Sequence, residues 1–266
     1  MKWLIFITSL SFPLLAEIDY HKLLRQFPET LGRHGCWKQD EIEIATDPSE
    51  IKRIEKFNIQ RLIRLGYSKE EARSYSKIGV IAEDQYWIWL RDAVTFPGGV
   101  PGTYNRIVWK QGVSGRPGVV ILPVLSNGKV VVNINFRHAT RSWEMELPRG
   151  GRKAEEDIEV AALRELREET GCLGKQLVYL GDVAPETGLV SGVMDVYLCK
   201  VKEQKPRHQD ESEAIAQNLE LTHKELNEAF LKGYWIADIK GVKTKIYCRD
   251  PFLSHALNLA KLRKLI

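Results

Sequence analysis

Residues 146–172 constrain this chain more than any other stretch. They read Glu-Leu-Pro-Arg-Gly-Gly-Arg-Lys-Ala-Glu-Glu-Asp-Ile-Glu-Val-Ala-Ala-Leu-Arg-Glu-Leu-Arg-Glu-Glu-Thr-Gly-Cys. A strand-like end, Glu146-Leu147-Pro148, enters a glycine loop, Arg149-Gly150-Gly151. A helix follows, and Gly171 ends it. With Leu163 set at zero and about 100° per residue, Leu166 lies near 300° and Val160 near 60°, which predicts an apolar face. Glu165, Glu168 and Glu169 then lie at roughly 200°, 140° and 240°, opposite that face, and Ala161 leaves the acidic side open. Three acids on one patch repel unless a cation sits among them. Hard divalent metals take carboxylate oxygens, and Mg²⁺ takes one or two of them together with substrate phosphates. The plainer alternative is a solvated acidic face paired with Arg164 and Arg167. The glycine loop ahead of the acids favours the metal.

Composition narrows the class. The chain has 266 residues, enough for one large domain or one with an appendage. Hydrophobic residues at 44% and charged residues at 28% are the mix of a globular protein and exclude collagen-like or disordered chains. A net charge of +4 is too balanced for a nucleic-acid coat protein, and no Lys/Arg stripe interleaved with aromatics stands out. Walker loops, G-x-S-x-G elbows and His/Cys zinc spacings are absent. The apolar run at 3–16 is too short for a stable membrane span. Its single Lys2, apolar stretch and Ala16 before Glu17 resemble a secretory signal, and the abrupt polar boundary favours export. Cys36, Cys172, Cys199 and Cys248 are spaced as single core thiols, which points instead to the cytosol.

Residues 17–83 predict a helical segment. Asp47-Pro48-Ser49-Glu50 starts a helix with a stripe of Ile51, Ile54, Leu62 and Leu65, and Gly66 ends it. Ser68 to Glu71 is a capping box for a second helix. A β-hairpin extension occupies 84–112, with strands at 86–90 and 103–109 around a Gly/Pro loop. Alternation puts Trp87 and Trp89 on one face, as core or interface. A second hairpin turns at Asn127-Gly128, and Pro123 predicts a bulge or edge position. Residues 113–266 then form the remaining domain, which carries the acidic helix.

The segment resembles the box of the Nudix hydrolases, G-x5-E-x7-R-E-U-x-E-E-x-G-U. Gly150, Glu156, Arg164, Glu165, Leu166, Glu168, Glu169 and Gly171 fill it, with Cys172 in the last apolar slot. The resemblance implies an α/β fold, an α/β/α sandwich with a mixed sheet. It implies Mg²⁺ or Mn²⁺ held by Glu165 and Glu169 and by the carbonyl of Arg149, with Glu168 close by. Phe136-Arg137 and Trp143-Glu144-Met145-Glu146-Leu147-Pro148 resemble the entry to the box in the ADP-ribose and nucleoside-diphosphate-sugar pyrophosphatases. That branch implies that Arg137 approaches the substrate phosphates and that Glu211 or Glu213 is the general base or a further ligand. It also implies a homodimer and an aromatic stacker from the hairpin, for which Tyr104 is the candidate. One departure stands out. Thr187 occupies the position where the branch carries a proline, and Ser191 is followed by Gly192 rather than Glu. This bears on which sugar is accepted. The activity implied is hydrolysis of a nucleoside diphosphate linked to a sugar, ADP-ribose first. The alternatives are another nucleotide substrate, such as a dinucleoside polyphosphate or a dinucleotide cofactor, and a non-catalytic nucleotide sensor.

Overall fold

The computed structural model describes residues 19–26, 32–110, 117–153, 155–207 and 214–266. The signal-like stretch 1–16 and the loop acids Glu211 and Glu213 lie outside the described residues. The chain divides into two compact units, Met1–Ala82 with Leu90–Tyr104, and Glu83–Trp89 with Asn105–Ile266.

The first unit holds α1 (Tyr20–Gln26), β1 (Glu43–Ile44), α2 (Pro48–Arg64) and α3 (Lys69–Ser76). Asp47 caps α2 by accepting from the Ser49 and Glu50 amides. Ser68 and Glu71 close the expected capping box on α3. The buried stripe of α2 differs from the expected one: it runs Ile51, Ile54, Asn58, while Leu65 is exposed. Asn58 can sit there because its amide donates to Ser76 Oγ at 3.0 Å. After β2 (Gly79–Glu83) comes a hairpin, β3 (Trp87–Phe96) and β4 (Val100–Trp109). Its strands are longer than expected and its turn shrinks to Pro97-Gly98-Gly99, because two successive positive φ values at Gly98 and Gly99 reverse the chain at once.

The second unit is built on one mixed sheet. Its strands are β5 (Gly118–Val124), β6 (Val130–Arg137), β7 (Ser142–Glu146), β8 (Arg149–Gly151) and β9 (Cys172–Val183), followed by β11 (Met194–Gln204), β12 (Ile215–Leu221), β13 (Tyr234–Ile239) and β14 (Val242–Tyr247). The order is β13-β14-β7-β6-β5-β11-β9, with β12 on β6 and β8 on β5. The short β10 (Val190–Ser191) pairs with β4. β5 runs parallel to β11 and is buried along its whole length, so its sequence is a continuous apolar run. Val119 and Ile121 pack on α4 (Ile158–Thr170), and Val120, Leu122 and Val124 enter the opposite core. That second core is closed by α5 (His223–Lys232) and α6 (Pro251–Leu262) through Leu226, Leu253 and Leu257. Helices therefore cover both faces, the expected α/β/α arrangement. Pro123 sits inside this central strand, neither at a sheet edge nor at a bulge. It is tolerated because β8 pairs only with positions 118–120 and β6 only with Val124, so its missing N–H faces a gap in the ladder.

Cys172, Cys199 and Cys248 are buried free thiols, as expected, and burial pushes Cys248 up to about 12. Among the described residues no helix is long and apolar enough to cross a membrane.

Candidate active site

The site forms where β8 runs into α4. Asp157 caps the helix through the Glu159 and Val160 amides, and Gly171 ends it at φ 72°. The helix is rotated relative to the expected amphipathic face. Its buried arc is Ala161, Ala162, Glu165, Leu166 and Glu169, while Val160 is 57% exposed. Two of the acids therefore face into the protein rather than away from its core. The small Ala161 and Ala162 let the helix lie close to β5, and the glycine loop lies directly over Glu165. A Cβ on Gly150 would fall within 3.0 Å of the Glu165 carboxyl carbon and both its oxygens. Only glycine fits there, and its role is close approach rather than a special φ.

Glu165 and Glu169 are brought together one turn apart, both buried. Arg164 Nη1 donates to Glu165 Oε1 at 2.7 Å. Glu169 Oε2 accepts from the Arg149 amide at 3.1 Å and from Asn133 Nδ2 on β6. Asn218 on β12 orients that amide by donating to Asn133 Oδ1 at 2.7 Å, and it also donates to the Glu169 carbonyl at 3.1 Å. Asn133 and Asn218 are site residues that the sequence reading missed. Asn133 carried a signal, a polar residue within the buried run Val130–Ile134, whereas Asn218 alternates with Glu220 away from Leu219 and Leu221 and carried none.

Glu168 is more exposed than this pair, but its carboxylate shares the Arg164 Nη1 donor with that of Glu165, at 3.1 and 2.7 Å. Its side chain is 42% exposed, lies 3.1 Å from Arg164 Nη1, and lines a cavity of about 640 Å³ on the outer flank with Leu163 and Arg167. Arg164 ties the box together. It also donates to Glu156 from Nε and Nη2, each at 2.9 Å, and to the Gly151 carbonyl at 2.9 Å. The hydrogen bonds from Arg164 hold the Glu156 carboxyl down to about 2.

On the other side of Gly150 lies a cleft of about 320 Å³, lined by Trp109, Arg137, Arg149, Gly150, Met194 and Phe252 among others. Arg149 spans its floor, donating to Asp250 at 2.7 Å and Glu146 at 2.8 Å, with its guanidinium 4.8 Å from the Phe252 ring. Burial opposes the Arg149 charge, but Asp250 and Glu146 outweigh it and keep the group firmly protonated. Burial pushes Asp250 above its usual range, only partly countered by Arg149. Arg137 contacts Glu146 at 2.7 Å and keeps a side chain 40% exposed. Trp87 backs Trp109, with centroids 4.0 Å apart, and Trp89 donates to Asn105 at 3.3 Å. Tyr104 lies on β4 in the first unit, 39% exposed. The Pro185–Leu189 departure folds as a turn in which Glu186 accepts from the Gly188 amide at 2.7 Å, and Pro185 joins the cleft wall.

Among the described residues no three acidic, imidazole or thiol groups converge as a ready metal cage. The donors present are nonetheless hard oxygens: two buried carboxylates, one of them next to the Arg149 backbone. That chemistry suits Mg²⁺ or Mn²⁺ completed by water and phosphate.

The model of the NUDIX domain matches residues 115–238. An ADP-ribose pyrophosphatase of Bacillus subtilis (strain 168) is 33% identical over 110 residues, 40% of this chain and 59% of that enzyme. The match thus spans under two thirds of that relative. A methanol dehydrogenase activator of Bacillus methanolicus is 31% identical over 138 residues, covering 50% of this chain and 72% of the relative. A crystal structure of an ADP compounds hydrolase superposes with a TM-score of 0.51 at 18% identity, over 71% of this chain and 91% of that one, which shows shared fold alone.

Proposed function

The chain belongs to the Nudix hydrolase family, and on that premise we propose that it hydrolyses the pyrophosphate bond of a nucleoside diphosphate linked to a sugar. ADP-ribose or another ADP-sugar is the favoured substrate, and the products are a nucleoside monophosphate and a sugar phosphate. The carrying observation is the buried pair Glu165 and Glu169 lying beneath Gly150, at the edge of a cleft that also presents Arg137 and Arg149. The name of the Bacillus subtilis relative supports the choice of substrate. Retention of every box carboxylate favours an enzyme over a silent nucleotide sensor.

Glu165, Glu169 and the Arg149 carbonyl would hold Mg²⁺ or Mn²⁺. The ion, when bound, polarises phosphoryl oxygens and makes water more acidic. The chain's own groups do the rest. Asn218 and Asn133 set the orientation of Glu169. Gly150 admits the phosphates close to the backbone, and Arg137 meets their charge from the rim. A carboxylate, Glu211 or Glu213 on the loop before β12 or else Glu168, takes the proton of the attacking water as the P–O bond to the leaving phosphate breaks. Tyr104 stacks on the base, and the working assembly is a homodimer.

The test is a panel of nucleotide sugars and dinucleotides, assayed with Mg²⁺ for released nucleoside monophosphate. ADP-ribose should lead the panel. Glu169→Gln should lower turnover at least about 100-fold, since even outer partners of a metal cost 10–100-fold. Its melting temperature should hardly move. Undiminished turnover at saturating Mg²⁺ would remove Glu169 from the site.

A further inference from the structure

The carboxylate of Glu169 ends a row of hydrogen-bonded side chains that begins outside the box. After β11 the chain runs past the C-terminal end of α4. Gln204 Nε2 donates to the Thr170 carbonyl at 3.4 Å, and the Lys205 amide donates to the Gly171 carbonyl at 2.8 Å. A Cβ on Gly171 would collide with the Lys205 carbonyl, so the glycine that ends the helix also lets this segment lie against it. The segment brings in Arg207, which is half-buried.

Arg207 reaches across to β12. The register of β12 on β6 slips between Ile215 and Gln217, as at a bulge. There Arg207 Nη2 donates to the Ile215 carbonyl at 2.9 Å and to the Ala216 carbonyl at 3.2 Å, while Nη1 donates to Asn218 Oδ1 at 3.4 Å. A guanidinium only donates, so Asn218 turns its oxygen to Arg207 and its NH₂ the other way. That NH₂ meets Oδ1 of Asn133, its register partner on β6, at 2.7 Å, and the Glu169 carbonyl at 3.1 Å. Asn133 then has its own NH₂ left for Glu169 Oε2. A donor-only guanidinium at one end and an acceptor-only carboxylate at the other leave each amide one orientation. Hydrogen bonds in such a row polarise one another in the same sense.

We propose that Arg207 is a positioning residue for the divalent ion. Acting through Asn218 and Asn133, it fixes Glu169 Oε2 and so strengthens the hold of Glu169 on the metal. Oε2 also accepts from the Arg149 amide, so the carboxylate is fixed from two sides. Without the guanidinium, Asn218 loses the partner of its oxygen, and its amide is oriented from the Asn133 and Glu169 side alone. Groups behind a metal ligand are worth about 10–100-fold in metal affinity. Arg207 stands two links further back than Asn133, which puts its share at the lower end, about tenfold. The inference rests on the reading of Glu169 as a metal ligand.

Titration of the full-length protein with Mn²⁺, read from the electron paramagnetic resonance signal of the free ion, tests this without turnover. Glu169→Gln should weaken binding most. Arg207→Gln should weaken it about tenfold in the wild-type background. In an Asn133→Ala background the same change should cost less than about twofold, because the row it acts through is already cut. Thermal melting in EDTA checks that each variant folds. Should Arg207→Gln melt early, Asn218→Ala cuts the same row one link on and carries the same pair of expectations. Equal losses in the two backgrounds, or undiminished Mn²⁺ affinity in Arg207→Gln, would overturn the positioning role while leaving Glu169 as a ligand. Glu169→Gln binding Mn²⁺ as tightly as wild type would instead overturn the metal reading, and the role of Arg207 with it.

Discussion

Replacing Glu156 by Gln removes the charge that Arg164 grips while keeping the side chain's shape. In the folded protein Glu156 accepts from Arg164 twice and from the Lys153 amide, each at 2.9 Å. These bonds lower its pKa from 4.5 to about 2. At 1.36 kcal/mol per pH unit, that fall sets a ceiling of about 3 kcal/mol. Screening by water at a loop edge leaves roughly 1–2 kcal/mol of it. Because the folded pKa is depressed, this stability is fully present above pH 4.5 and is lost as pH falls through about 2. Urea unfolding in EDTA at pH 7, 5 and 3 should show Glu156→Gln less stable than wild type by roughly 1–2 kcal/mol at pH 7. The gap should be nearly as large at pH 5, less than about half as large at pH 3, and absent below pH 2. Comparing the two proteins cancels every other carboxylate. A gap that stays constant with pH, or widens in acid, would refute the ion-pair reasoning.

Gly150→Ala must push the Glu165 carboxylate out of its place. It should cost about 1–3 kcal/mol by overpacking and lower turnover more than it raises KM, which denaturant melts and steady-state kinetics would show. Glu211→Gln or Glu213→Gln should lower kcat far more than it raises KM if that acid is the base. Wild-type kinetics in both would pass the role to Glu168, which shares Arg164 with Glu165. Tyr104→Ala should raise KM without altering stability, and an unchanged KM would remove its substrate role.

Local chemistry was enough to read much of this protein from its sequence. The end of the box helix at Gly171, an Asn-Gly turn and a capping box at Ser68 depend on contacts within a few residues, whereas the mixed sheet with helices on both sides was implied by the family resemblance. The spacing of the box acids is equally local, because one helical turn sets it. What periodicity could not settle was which arc of α4 turns inward. Leu163 and Val160 favour one face and two alanines another, and the choice fell to whatever lay alongside. Packed against β5 and the glycine loop, the alanines won because small residues allow the closest approach, and Glu165 and Glu169 went in with them. Glu168, one residue away, was left on the flank with Arg164. The remaining pieces are long-range pairings that no local pattern carries. Asn133 meets Glu169 across 36 positions, Asn218 reaches its carbonyl across 49, and Arg149 finds Asp250 across 101. The row from Arg207 to Glu169 is of the same kind. Each asparagine sits on its own strand, but only the register between β12 and β6, fixed when the two cores close on either side of the sheet, sets Asn218 opposite Asn133.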